Sequence, residues 1–145
     1  MADNYLKTAE RMYDSSRLLH KQSHFHNACY LSGYVAECYL KIMVQKTPTI
    51  TTPLYGKQGL GHNIHRINSE LHYAISSSTV TPSLFRAHLL DMPIDCPKIY
   101  NQWNPLSRYD DATGWDNFSE SQYFQDEQDK CFEKITEMYV SNLIS

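Results

Sequence analysis

Apolar residues recur at three- and four-residue steps through most of this chain, and no useful stretch alternates as a strand would. The first segment, about 3–22, places Tyr5, Ala9, Met12, Ser16 and Leu19 on one stripe. Lys7, Arg11 and Asp14 take the opposite, solvated face. Asp3 is the expected N-cap of this helix, and Ser23 that of the next, which runs to about Lys46. The second helix carries two stripes. One is Phe25, Ala28, Ser32, Val35, Tyr39 and Ile42; the other is Cys29, Gly33, Ala36, Leu40 and Met43. Two apolar faces predict a central helix with partners on two sides. Gly33 lowers helix propensity by about 1 kcal/mol. Its small neighbours Ser32 and Ala36 predict that another helix approaches closely there.

Residues 47–61, with two prolines and three glycines, read as a loop. A third helix is predicted over about 62–78, with Ile64, Ile67, Leu71 and Ile75 on one side. A short fourth helix follows, with Thr81 as cap, Pro82 at its first position and Pro93 as stop. Residues 93–118 show no period of their own, a length that marks either a functional segment or hidden helical turns. The stretch 119–122, SESQ, has the form of a capping box and opens the last helix, with Cys131, Ile135, Met138 and Tyr139 facing inward. The whole pattern predicts one all-α domain over 1–145: an antiparallel up-and-down bundle of four main helices plus a short one.

Composition changes this picture little, since 41% hydrophobic and 20% charged residues is an ordinary globular balance. No run of 18 apolar residues occurs, so no membrane span is expected. The polar, amphipathic N-terminus is not signal-like, and a cytoplasmic location is expected. Cys29, Cys38, Cys96 and Cys131 form no CxxC pair and predict reduced thiols, some of them in the core. Charge is more informative. Residues 108–145 hold nine acids against three bases, a net −6, which leaves +3 on residues 1–107 of the total −3. Such asymmetry suits either solvation or an oriented self-association surface.

Candidate chemistry is sparse. No phosphate-loop or serine-elbow sequence is present. The loop GKQGLGH, residues 56–62, brings glycines and Lys57 to a helix start, where an anion is favoured; a plain flexible connection is the other reading. His62, His65 and His72 could share a helix face, but no carboxylate pattern completes a metal site, so neither metal nor cofactor is expected. Glu37 and Lys41 stand at i and i+4 in the favourable order for a helix ion pair. Both could lie on the surface. Alternatively, Glu37 faces the long 93–118 segment and holds Arg108 through a paired contact.

The stretch YLSGYVAECYLKIM resembles the second helix of the HEPN family, with Gly33, Glu37 and Lys41 in the family's Glu-x-x-x-Lys-like pattern. Gly61 and His62 then resemble its Gly-His helix start, and Trp103, Arg108 and Tyr109 its later aromatic–Arg-Tyr segment. The order and spacing match over about residues 4–144. The resemblance implies a helical bundle that usually dimerises and works beside nucleotides or RNA. Some members are metal-independent RNases, often toxins; others partner small nucleotidyltransferases in toxin–antitoxin-like or defence systems; others only bind. RNase members carry an Arg followed four to six residues later by His. Here Arg17 precedes His24 and Arg66 precedes His72, both too early in the chain and both followed by an apolar residue, while no His follows Arg108.

The expectation is therefore a homodimeric, HEPN-like binding domain for a nucleotide, RNA or a nucleotidyltransferase partner, and not an enzyme. An RNase toxin and a pure interaction scaffold are the alternatives. Glu37, Lys41, His62, Trp103, Arg108 and Tyr109 are the expected ligand-binding residues. The dimer is expected to use the last helix and the small-residue face of the second.

Overall fold

A computed structural model describes residues 4–77, 83–109 and 114–145. Four long helices carry the described structure: α1 (Tyr5–Lys21), α2 (Phe25–Gln45), α3 (Ile64–Ser77) and α7 (Phe118–Val140). Between α3 and α7 lie the short α4 (Ser83–Arg86), α5 (Met92–Asp95) and α6 (Pro97–Gln102), then a 3-10 turn over Pro105–Tyr109. Among the described residues there is no strand, and no helix is long and apolar enough to cross a membrane.

The predicted central helix is α2, which packs against α1, α3 and α7. Both of its stripes are covered, and from Val35 to Val44 every residue is buried. Three side-chain pairs fix the direction of α7 against α1. Tyr13 bonds Asp129, Ser16 bonds Gln125 and His20 bonds Ser121, so one helix runs forward as the other runs back. That is the relation an up-and-down order requires of its first and last helices. The core between them is filled by Tyr39, Leu40, Met43, Ile67, Leu71, Phe124 and Ile135.

The helix ends differ from expectation in instructive ways. Asp3 lies outside the described residues, and α1 is capped by Asn4, whose Oδ1 accepts from the Lys7 amide at 2.9 Å. Ser23 does not cap α2. It sits at φ 66° and closes α1, with the Ser23 amide on the His20 carbonyl and the His24 amide on that of Leu19. A three-residue reversal between antiparallel helices takes a left-handed residue, and that demand overrides the capping preference of serine. The last helix starts earlier than the SESQ box, because Asn117 caps it by accepting from the Glu120 amide at 2.9 Å. Thr81 and Pro82 lie outside the described residues. Pro93 starts α5 rather than stopping a helix, as its fixed φ and missing N–H allow in a first turn. Tyr139 faces solvent at 54% exposure, not the core; the apolar seam of α7 passes through Cys131, Ile135 and Met138.

Gly33 has a different partner from the one expected. The indole of Trp103, at the end of α6, presses against it. A Cβ on Gly33 would stand 2.1 Å from Trp103 Nε1. The indole N–H donates to the Tyr30 carbonyl at 2.8 Å, which pins the ring to α2. The small-residue face is thus used within the chain, with Ser32, Gly33 and Ala36 all buried, and it is not open to a second subunit.

The segment without a sequence period is ordered by packing and by one carboxylate. Ile99, Trp103 and Trp115 are buried. Glu127 of α7 accepts from the backbone amides of Lys98 and Ile99 at 3.1 and 2.8 Å, satisfying the open N-terminus of α6. Burial pushes the Glu127 carboxyl above its ordinary range, and those two amides oppose the shift.

Candidate functional site

The two charges on α2 are both interior. Glu37 is 4% exposed and Lys41 1%. Lys41 Nζ lies 3.4 Å from Glu37 Oε2, and His62 Nδ1 lies 2.8 Å from Glu37 Oε1. Each oxygen of the buried carboxylate therefore has a partner, which is what makes an ionised group tolerable there. The ammonium also lies over two rings, 5.7 Å from the centroid of Tyr5 and 4.9 Å from that of Tyr55. Those two tyrosine hydroxyls hydrogen-bond to one another. A compact cation between electron-rich faces gains a cation–π contribution that grows as water is removed.

Backbone design brings these groups together. One turn of α2 separates Glu37 from Lys41. His62 arrives from the far side on the 46–63 segment, whose end is tied down in two places. The Leu60 amide donates to Pro53 O at 2.8 Å, and the Gly61 amide to Leu54 O at 2.9 Å. Leu60 is buried, and Gly61 takes φ 57°, a left-handed turn that delivers His62 toward α2. Tyr55 is carried on the same segment, and Tyr5 begins α1.

These groups line a cleft of about 240 Å³, walled by Tyr5, Tyr34 and Tyr55, with Glu37, Lys41 and His62 on its floor and rim. Asn4, Thr8, Met12 and Cys38 complete the lining. The Tyr34 phenol is pushed well above its ordinary value, first by burial, then by its bond with Tyr30 and the charge of Glu37. The Cys38 thiol is pushed up to about 12 by burial and by Glu37, so it stays protonated and unreactive. His62 is half exposed, with its ring edge-on to Tyr34. Chemically the cleft offers aromatic faces, an oriented imidazole and a charge-balanced floor.

Of the six residues expected to bind a ligand, Glu37, Lys41 and His62 meet directly. Trp103 stands behind them, its ring 5.0 Å from Tyr34. Arg108 and Tyr109 do not line the cleft, although the charge of Arg108 acts on the Tyr34 phenol. Both are exposed on the 3-10 turn, where the guanidinium lies 5.8 Å from the Tyr109 ring centroid. The expected Arg108–Glu37 pair is replaced by Lys41 and His62, because a residue one helical turn away reaches a buried carboxylate without ordering a long segment. The three tyrosines were missed. Their signal was compositional only, eleven tyrosines in 145 residues, and nothing in their spacing marks Tyr5, Tyr34 and Tyr55 as neighbours.

The other candidates disperse. His65 stacks on Tyr100 and bonds its carbonyl, while His72 bonds the Leu90 carbonyl at 3.0 Å. Among the described residues no three His, Cys, Asp or Glu side chains form a group able to hold a metal. Arg17 binds Asp129 at 3.0 Å and Arg66 binds the Gly59 carbonyl at 2.9 Å. Comparison with family models finds no match, and neither the curated proteins nor the solved structures give one.

Proposed function

We propose that this chain is a HEPN-like binding domain that seats the base of a nucleotide or of an RNA strand in the Tyr5–Tyr34–Tyr55 cleft. One observation carries the reading. Residues on which the HEPN resemblance rests, Glu37, Lys41 and His62, line one aromatic-walled cleft, with Trp103 bracing it through Gly33 and Tyr34. Aromatic side chains stack on any base, and such stacking contributes about 1–3 kcal/mol per base. Glu37 and His62 add polar groups that a base edge recognises, and the exposed Arg11, bonded to the cleft residue Thr8, stands where a phosphate would emerge.

A homodimer and a small nucleotidyltransferase partner belong to the same proposal. Exposed Tyr123, Tyr139 and Val140 on the acidic last helix supply apolar surface for such a contact. The test of the ligand is a titration with mono- and triphosphate nucleotides and a short single-stranded RNA, followed by calorimetry. Binding should weaken at least about tenfold in Tyr55→Ala, which removes a stacking face from a half-exposed position. No binding by any of these probes at millimolar concentration would sink the reading. Light scattering at high micromolar concentration reads the dimer, and a monomer there would remove that part.

A further inference from the structure

The seven histidines are not equivalent, and the difference lies in what holds each ring. His20 has both nitrogens engaged, on Ser121 and Gln122. His26, His65 and His72 bond backbone carbonyls through Nε2. His24 opens α2 without a side-chain cap bond. His88 meets a carboxylate, but Glu137 is itself half exposed and shared with Lys134. Only His62 has Nδ1 on a buried carboxylate, and no bond to its Nε2 is found among the described residues.

That arrangement sets the tautomer. With Glu37 accepting, the proton resides on Nδ1 and the lone pair on Nε2. Glu37 cannot swing away, because Lys41 holds its other oxygen and Tyr5 and Tyr55 hold Lys41. A carboxylate that fixes the imidazole and supports the cation it forms is the orienting half of a nucleophilic site. The unpaired Nε2 belongs to a half-exposed ring on the rim of an aromatic cleft.

We propose that His62 is a nucleophile, with Glu37 as its positioning residue, and that the cleft accepts a neutral carboxylic ester whose alcohol carries an aromatic ring. The Nε2 lone pair attacks the ester carbonyl carbon and forms a C–N bond. The aryl oxygen departs with its electron pair as the C–O bond breaks, leaving an acyl-imidazole whose charge Glu37 supports. Water then adds to the acyl carbon and the C–N bond breaks, its electron pair returning to Nε2; one water proton stays on the acid and the other passes through solvent to the departed aryl oxygen. The balance is ester plus water giving acid plus alcohol, with no further reactant. A neutral ester is favoured over a phosphodiester because the one ammonium in the cleft lining, Lys41, is buried against Glu37 and is not offered to an anion. The inference uses the cleft of the proposed function but does not require a nucleotide in it.

The probe is 4-nitrophenyl acetate, with release of 4-nitrophenolate followed by absorbance. His62→Asn should lower the rate at least about tenfold, to the level set by the six other histidines, whereas His24→Asn should leave it unchanged. Glu37→Gln should lower the rate less, and nitrogen-15 NMR of that variant should show His62 losing its preference for the Nδ1–H tautomer. The other titratable groups around the ring are Lys41, Tyr34 and Cys38 on α2, Tyr5 on α1 and Tyr55 on the 46–63 segment, and all are unaltered in that variant. Should Glu37→Gln fail to fold, nitrogen-15 NMR of the unaltered protein decides the same point: His62 should be the Nδ1–H tautomer. A rate unchanged in His62→Asn, or an Nε2–H tautomer, overturns the proposal. Ester reactivity that depends on His62 in a protein binding no nucleotide supports the dyad and removes the nucleotide reading.

Discussion

Two clusters in this molecule are built from nearly the same parts. Each has a cation, a carboxylate and a tyrosine, and each joins elements distant in sequence. In one, Arg17, Asp129 and Tyr13 link α1 to α7, with the ion pair at 3.0 Å and both charged side chains 42% exposed. In the other, Lys41, Glu37 and the Tyr5–Tyr55 pair link α2 to α1 and the 46–63 segment, at 3.4 Å and almost without exposure. The exposed pair is the shorter of the two. Distance therefore does not rank them; access to water does. An exposed pair exchanges hydration for contact at little net gain, whereas either half of a buried pair, left alone, has no water to turn to.

Removing one charge from each cluster should separate them most sharply. Lys41→Met leaves the buried Glu37 with His62 as its one remaining partner and should lower unfolding free energy by about 3–5 kcal/mol in urea titrations. The double variant Lys41→Met/Glu37→Leu should recover much of that loss, since a packed apolar pair needs no countercharge. Equal losses in single and double variants would break the comparison.

Gly33→Ala probes the wall beside the buried cluster. The methyl would enter the space of the Trp103 indole, and overpacking of this kind destabilises by about 1–3 kcal/mol, more than the roughly 1 kcal/mol of helix propensity returned. A melting temperature raised by Gly33→Ala would mean that the indole moves aside freely.

Glu127 lies between the two extremes, a buried carboxylate whose partners are backbone amides rather than a cation. Glu127→Gln replaces one acceptor oxygen by a donor facing an amide and should cost about 1–2 kcal/mol. The pH dependence carries a sign. Burial raises the folded pKa above the unfolded one, so the stability this group contributes through its titration is full below the ordinary carboxylate range. It is lost as pH rises through the raised folded value. The difference between the unaltered protein and the Gln variant should therefore shrink between acid and neutral pH; a difference that grows over that interval contradicts the assignment.

The smallest effect belongs to the exposed cluster. Asp129→Asn should change stability by no more than about 1 kcal/mol, and 0.5 M salt should erase most of that. A loss as large as that of Lys41→Met would place Arg17 and Asp129 in the same class as the buried pair.

The same contrast bears on what was readable beforehand. Apolar periodicity located α1, α2, α3 and α7 to within a few residues, because a helix face that must be buried repeats along the chain whatever covers it. The i,i+4 spacing of Glu37 and Lys41 was equally local, and so was their pairing. Ser23, Pro93 and the SESQ stretch were misplaced for a different reason. Several residues in each place are competent to cap or turn, and the choice falls to the geometry of the reversal or to the nearest alternative, such as Asn117.

The chain by itself determined that α2 would be central, that it would carry a charge pair, and that something would press against Gly33. Each follows from residue type and helical spacing. Only the tertiary structure decided that the presser is an indole from 70 positions away, that Glu37 takes His62 rather than Arg108, and that three tyrosines from separate segments wall one cleft. Buried charge demands a partner but does not name one. The partner is whichever donor the packed backbone already holds within reach, and that reach exists only once the 46–63 segment has folded back on α2.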